Sequence, residues 1–483
     1  MIFDSLAFDN KLSKIKKIFY DKEFLYFSPW LNPNKYHPNN IFHSYSEFII
    51  KDKKNKFRTE KNLINKAKFF FKINKLCYSI KDFKKKDYLF VSHFINPAHL
   101  NVDYYFKNIF FKDIEHNSLI LLRNHTSIKE TKIKKLFQDS KVPRIIMPRG
   151  VFFKTAIIFL MKLIISYFHV LINILQLQDN SQKQILRKFI KIGNISQSII
   201  NYHYYYTLQK IIKMHNPKKI FFTYEGHTWE RFIIKAAKDS KNDITCIAYQ
   251  FSVILKNQNM LSAKFGYKYD PDLICVPGKF GSNYFIERSL RTINIGHFIG
   301  SKNDFNFKKK KINKNCLVMP EGIISECKIM FEFILEVRKK FQDINFIIRF
   351  HDQFDFKYFK KKYKEYDNID EIIISQNNIQ DDLKKCSFCL YRGTTGIFQA
   401  INNGLVPIYY DFMSDLNIDP FYLTTNKIKY VKTSNDLGNF IYSHANHKFF
   451  LDQFKSNKRL SNEYFNEFNH QNIDTIKYND LYK

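Results

Sequence analysis

The sequence predicts an α/β fold of two doubly wound lobes, each a parallel sheet with helices on both faces, facing one another across a cleft. Three observations carry this. Short apolar runs alternate with helical stretches along both halves of the chain. Runs such as IFF within 219–225 and LICV within 273–278 are continuously apolar rather than alternating, as in strands covered on both faces. A polar, lysine-rich stretch without periodicity, 300–315, separates the halves and reads as a linker.

Taken in order, residues 1–84 are lysine-rich with weak periodicity and are placed with the first lobe without a firm element. The first lobe, 85–299, shows strands at 87–94, 118–125, 141–148, 219–225, 245–250, 273–278 and 292–298. Helices are expected around Tyr104–Phe111, from Val151 to Met214 with a break near Asp179–Ser181, and from Gly281. The second lobe, 316–440, repeats the alternation with strands at 316–320, 345–350, 371–375, 387–392 and 405–410. Between the first two of these, Cys327, Met330, Phe331, Ile334, Leu335 and Phe341 share one face at helical spacing. Further helices are expected at Ile379–Cys386 and Thr395–Asn403, the latter stopped by Gly404. Residues 441–483 read as a helical tail.

Composition narrows the function. The chain has 483 residues, 45% of them hydrophobic, which suffices for two real cores. Its 78 basic and 45 acidic residues give a net charge of +33. The wealth of Lys, Asn, Ile, Phe and Tyr has the stamp of AT-rich coding, yet such a surface still attracts anionic membranes and phosphates. No zinc-finger spacing, basic zipper or aromatic RNA-binding motif accompanies the charge, so nucleic acid is not an expected partner. Seven cysteines, with Cys386 and Cys389 as a lone CxxC, suit buried thiols in a reduced, cytoplasmic protein. The N-terminus lacks the basic start of a secretory signal. The apolar stretch 155–175 contains Lys162 and His169; a buried core helix is the first reading, a membrane-surface helix the second and a span the third.

Three motifs carry chemistry. In RGTTGIFQAINNGLVPIYYD, Arg392–Asp411, a strand ends at Arg392 and Gly393-Thr394-Thr395-Gly396 turns into a helix, whose first-turn amides and two hydroxyls suit a phosphate. Arg392 would add a fixed cation. In FIIRFHD, Phe346–Asp352, a buried strand delivers Arg349 and His351 to its carboxyl end, where a His can donate to a departing phosphate. In TYEGHTWER, Thr223–Arg231, the strand delivers Glu225, Gly226 makes the turn and Thr228 is the expected cap of the next helix. Glu225, with His227 as alternate, suits the base that deprotonates an acceptor hydroxyl. His93, ending the strand 87–94, is the acceptor-side candidate, and the turn Glu321-Gly322 is placed with the donor side. Gly278–Ser282 and Gly296-His297 read first as turn chemistry, and Asp381 and Asp382 as partners of a helix dipole. No DxD triplet is present, so the sequence requires no metal.

The segment from Arg392 to Asp411 resembles the donor-binding segment of GT-B glycosyltransferases, with Thr394-Thr395 where serines often stand and Gln399 where many members carry an acid. FIIRFHD resembles the strand-end His-Pro segment of bacterial sialyltransferases and polymer-phosphate transferases, with Asp352 in place of the Pro. TYEGHTWER is similar to the acid-Gly motif of bacterial sialyltransferases. It is more similar to a group of bacterial surface-carbohydrate biosynthesis proteins, which share the Trp-Glu helix, a strand like CIAYQF and one like PDLICVPG. The resemblance covers 87–411. It implies two Rossmann-like lobes of the GT-B type and transfer from a nucleotide sugar to a surface-polysaccharide or lipid-linked acceptor, as in capsule or lipopolysaccharide assembly. It implies no cofactor beyond that substrate; the cysteine usage points to the cytoplasm, and the basic surface to the inner face of the plasma membrane, where lipid-linked acceptors are found. The alternatives are a CDP-polyol phosphotransferase of similar fold and a non-catalytic glycan-assembly protein.

Overall fold

The computed structural model describes residues 77–78, 84–95, 103–126, 128–147, 153–180, 183, 195–240, 243–255, 261, 264–300, 310–320, 324–351, 354, 356–363, 372–412, 418–422, 424 and 428–479. The chain divides into two compact units. One is Met1–Phe251 with Gln258–Cys275 and Arg288–Thr292; the other is Ser252–Asn257 with Val276–Glu287 and Ile293–Lys483.

The elements of the first sheet and its helices are, in chain order, β1 (Cys77–Tyr78), β2 (Tyr88–Phe94), α1 (Lys107–Phe111), β3 (Ser118–Asn124), α2 (Glu130–Leu136), β4 (Arg144–Ile146), α3 (Phe153–Gln176), α4 (Ile195–His215), β5 (Lys219–Thr223), α5 (Thr228–Lys238), β6 (Thr245–Tyr249), β7 (Leu273–Val276), α6 (Lys279–Ile286) and β8 (Thr292–Asn294). The strand order is β1-β4-β3-β2-β5-β6-β7-β8. The register is parallel from β4 through β3, β2, β5 and β6 to β7, with the short β1 antiparallel at one edge. Leaving β1 aside, each strand after the first two is added outward, then the order reverses at β2 and β5, which is the Rossmann-like winding. Phe90 stacks on Phe221 at 4.8 Å between centroids and lies 4.6 Å from the Phe111 ring, so α1 closes one face with aromatic rings.

The buried charges of α5 are paired. Arg231 donates to Asp270 at 3.0 Å and to the Tyr269 carbonyl at 3.1 Å. Lys238 meets Asp272 at 2.7 Å, and Asp272 in turn accepts the Cys246 amide. These pairs tie the helix to the segment between β6 and β7, which explains how so polar a helix is buried along nearly its whole length.

The second unit continues with β9 (Cys316–Met319), α7 (Ile324–Lys340), β10 (Phe346–Ile348), α8 (Phe356–Lys362), β11 (Ile372–Ile374), α9 (Ile379–Lys385), β12 (Phe388–Tyr391), α10 (Gly396–Asn402), β13 (Val406–Tyr410), β14 (Lys429–Val431), α11 (Ser434–His444), α12 (His447–Tyr464) and α13 (His470–Tyr478). All strands are parallel, in the order β11-β10-β9-β12-β13-β14. Alternate residues feed two cores, with Cys316, Val318, Ile348, Leu390 and Ile408 on one side and Leu317, Met319, Ile347, Tyr391 and Tyr409 on the other. The α/β class and both Rossmann-like windings expected from the alternation are therefore present.

Two expectations need correction. The stretch 155–175 does form a helix, but it is not a core helix: only 28% of its most apolar window is buried, and Ile165 and Leu175 are 65% and 78% exposed. Hydrophobicity all round the helix gave no sign of which face would be covered. Within 441–483, α12 and α13 are helical, and the segment joining them is bonded into the second unit. Asn466 N–H donates to the Pro277 carbonyl and Asn469 N–H to that of Ile295, while the His297 amide donates to the Asn466 carbonyl. These bonds carry residues 276–287 and 293–300 into the second unit, ahead of the lysine-rich stretch expected as the boundary. Gly278, read first as a turn, and Gly300 pack directly against the end of α12 and the segment after it. A Cβ on Gly278 would lie 2.3 Å from the Tyr464 carbonyl oxygen, and one on Gly300 2.1 Å from that of Asn466. Residues 1–76 and 301–309 lie outside the described residues.

Candidate functional site

In the first unit, strand order reverses between β2 and β5, and ligands of doubly wound sheets bind beyond the carboxyl ends of the strands at such a point. His93 ends β2, Thr223 ends β5, and Arg123 and His125 stand at the end of β3. His93 Nδ1 is 2.7 Å from His125 Nε2, and its Nε2 is 2.8 Å from Thr223 Oγ. One imidazole must donate to the other, so the Thr223 hydroxyl takes whichever role His93 leaves it. Trp229 meets His93 edge-on at 5.2 Å, and the Arg123 guanidinium sits 5.1 Å from the Trp229 ring.

The loop after β5 is fixed from beneath. Tyr224 N–H donates to the Tyr249 carbonyl at 2.8 Å, and Gly226 turns the chain at φ +82°. Fully buried Glu230, in the first turn of α5, accepts the amides of Glu225 at 3.0 Å and His227 at 2.8 Å. The cap of α5 is thus Glu230 reaching back, with His227 at the N-cap position, and not Thr228 as expected. This leaves the Glu225 and His227 side chains partly exposed, His227 Nε2 3.4 Å from Glu225 Oε2.

Burial sets the charge states. His93 is held well below its ordinary pKa by burial, then by the charges of His125, Arg123 and His227. His125 is lowered to about 3 by burial and by Arg123 and His227, with Glu225 opposing. Both imidazoles are therefore neutral at physiological pH. Tyr105, 5.3 Å from His93, is pushed up by burial and by the Glu225 carboxylate, so its hydroxyl keeps its proton. Glu230 is raised well above the carboxylate range by burial and by the nearby Glu225, against the amides it accepts.

The structure thus brings His93, Glu225 and His227 together. The residues missed in the sequence are Arg123, His125, Tyr105, Thr223 and Glu230. His125 carried the same signal as His93, a histidine closing an apolar strand.

In the second unit the order reverses between β9 and β12, and the Gly393–Gly396 turn follows β12 at that point. Thr394 and Thr395 are partly exposed, and a Cβ at Gly396 would press on Met319 Cε, at the end of β9. Thr395 makes no side-chain cap; Thr394 Oγ accepts the Gly396 amide at 3.2 Å. Arg392 departs from expectation. It is 1% exposed, its guanidinium 3.8 Å from the Phe412 ring and its Nε 3.7 Å from the Glu326 carboxylate, so its charge is already balanced inside the unit. Arg349, partly exposed, donates to the Asn377 carbonyl at 2.7 Å and to Asp382 at 3.0 Å, which fixes it at the end of β10. Asp381 and Asp382 stand in the first turn of α9, as expected, and fully buried Asp382 also accepts from Arg349 and Ser375. His351 is exposed beyond β10. Glu321, Gly322 and Asp352 lie outside the described residues.

Asp419 organises the far side of this sheet. It accepts from Tyr391 at 2.8 Å, from Tyr430 and from the Phe421 amide. Cys386 and Cys389 are buried, and burial raises both thiols, which fits their reading as inert core residues. Among the described residues no group of three His, Cys, Asp or Glu is arranged to hold a metal.

No family model and no curated protein matches the chain. Solved structures with a similar outline include a UDP-GlcNAc 2-epimerase from Neisseria meningitidis bound to UDP-GlcNAc, at 12% identity and TM-score 0.43, covering 82% of this chain and 98% of that one. A co-structure of S. aureus MnaA with UDP aligns at 9% identity and TM-score 0.45, covering 81% and 95%. An α,α-trehalose 6-phosphate synthase from Burkholderia multivorans aligns at 7% identity and TM-score 0.42, covering 81% and 99%. These are similarities of outline; the fold assignment rests on the two strand orders.

Proposed function

We propose that the protein is a glycosyltransferase that moves a sugar from a nucleotide-sugar donor to a glycan or lipid-linked acceptor. The observation that carries the reading is the group at the β2–β5 reversal. A partly exposed carboxylate, Glu225, stands beside His227, backed by neutral His93 and His125. Deprotonating an acceptor hydroxyl needs one base within hydrogen-bond reach and a route for the proton. Glu225 is that base, with His227 beside it to share the proton. His93 and His125, linked to Thr223, orient the site without placing a cation against the carboxylate.

The donor belongs to the second unit. Its winding has the order associated with nucleotide binding, and the Gly393–Gly396 turn with the Thr394 and Thr395 hydroxyls stands at its switch point. His351, exposed beyond β10, is placed with the leaving phosphate in this reading. Arg392 supports the turn from inside rather than meeting the phosphate.

Incubation with CMP-, UDP-, GDP- and CDP-linked sugars and an acceptor extract tests the proposal by nucleotide release. Release from one class of nucleotide sugar is the expected result. Release from CDP-linked polyols alone would replace sugar transfer with polyol-phosphate transfer, and no release or binding with any donor would contradict both.

A further inference from the structure

The helix α3 is a surface with no role in the site described above. It runs 24 residues, about 36 Å at the ordinary helical rise. One side is seated: Ala156 and Phe159 pack with Tyr202 of α4 and Phe232 of α5, and Phe159 lies 5.5 Å from the Tyr202 ring. Ser166 and Val170 continue that buried side. The opposite side is an exposed apolar stripe, Ile157, Met161, Ile164, Phe168, Ile172 and Leu175, spaced by three and four residues. Scattered apolar residues on a surface are ordinary, but a continuous stripe of this length marks a docking face.

Charge identifies what docks. From Ser140 to Tyr224 the sequence holds thirteen Lys and Arg residues and a single acid, Asp179; Arg144 and Lys219 are buried, while Lys141, Lys154, Lys162, Lys210, Lys213 and Lys218 are exposed. The helix itself contains no acid, and exposed Lys154 stands in its first turn. An apolar stripe set in a strongly basic stretch complements a bilayer of anionic lipid, whose headgroups attract the bases while its acyl boundary takes the stripe. A protein partner would need an apolar groove ringed by acids.

We infer that α3 lies in the plane of an anionic membrane surface, its seated side held by the protein and its apolar stripe in the lipid. The buried side is what separates this from a span, because a crossing helix would have to leave Ala156 and Phe159 without their partners. The inference stands independently of the proposed reaction.

Flotation of the full-length protein with phosphatidylcholine vesicles, and with vesicles enriched in phosphatidylglycerol, tests it. Wild type should float with the anionic vesicles, less so as salt is added, and scarcely with the neutral ones. The double variant Ile164→Glu, Phe168→Glu should lose more than about tenfold in vesicle binding while keeping its circular-dichroism melt, since both residues are exposed. Its nucleotide release with soluble substrates should be unchanged, so failure here and failure of sugar transfer are separable. Equal flotation of variant and wild type, or no flotation of either, would overturn the inference. Retention of wild type in membranes through alkaline carbonate would show a span instead. A dimeric wild type made monomeric by the variant would assign the stripe to a second copy.

Discussion

His125 and His203 are neutral in the folded chain for one reason, burial, assisted by Arg123 at the first and Lys210 at the second. Their pKa values fall from 6.5 to about 3 and about 4. Between these values and 6.5 the unfolded chain binds protons that the folded chain refuses, so stability rises with pH across that window. It is fully present above pH 6.5 and is lost as the pH falls. Urea unfolding of wild type should show His203 alone costing about 2 kcal/mol between about pH 7.5 and about pH 5, and His203→Gln should remove that share of the slope. An unchanged slope would mean His203 is protonated in the fold. At this scale the sequence exposed the strand-end residues His93 and Glu225 because a carboxyl end is a position along the chain. It could not show that His93 reaches Thr223, 130 residues away, since that depends on which parallel strand lies beside which.

Among elements, most strands were legible because continuous apolar runs between helical stretches admit few other structures. Helix α3 was legible as a helix and misread as core, because a helix apolar on every side carries no directional information. The packing of α12 and α13 was hidden for a different reason. It depends on backbone meeting backbone at Gly278, Gly296 and Gly300, where the sequence shows only the absence of a side chain. A Cβ on Gly300 would meet a main-chain oxygen that cannot move aside as a side chain would. Gly300→Ala should therefore destabilise the protein by about 2–4 kcal/mol, read as a lower urea midpoint. A midpoint within error of wild type would show that the 465–469 segment is loosely seated.

For the whole molecule, each sheet taken by itself has its order reversal beside the residues singled out for chemistry. Glu225 and His93 stand at the β2–β5 reversal, Thr394 and Thr395 at the β9–β12 reversal. The alternation of strands and helices announced the winding; the order of strands, and so the place of the reversal, emerged only in three dimensions. The account depends on a division of labour, Glu225 for the acceptor proton and the second unit for the donor. The most direct test is Glu225→Gln, measured for transfer and, separately, for donor affinity by calorimetry. Transfer should fall by about 10²–10⁴ with donor affinity within about twofold of wild type. Full transfer in the variant would contradict the account, as would donor binding lost in step with transfer.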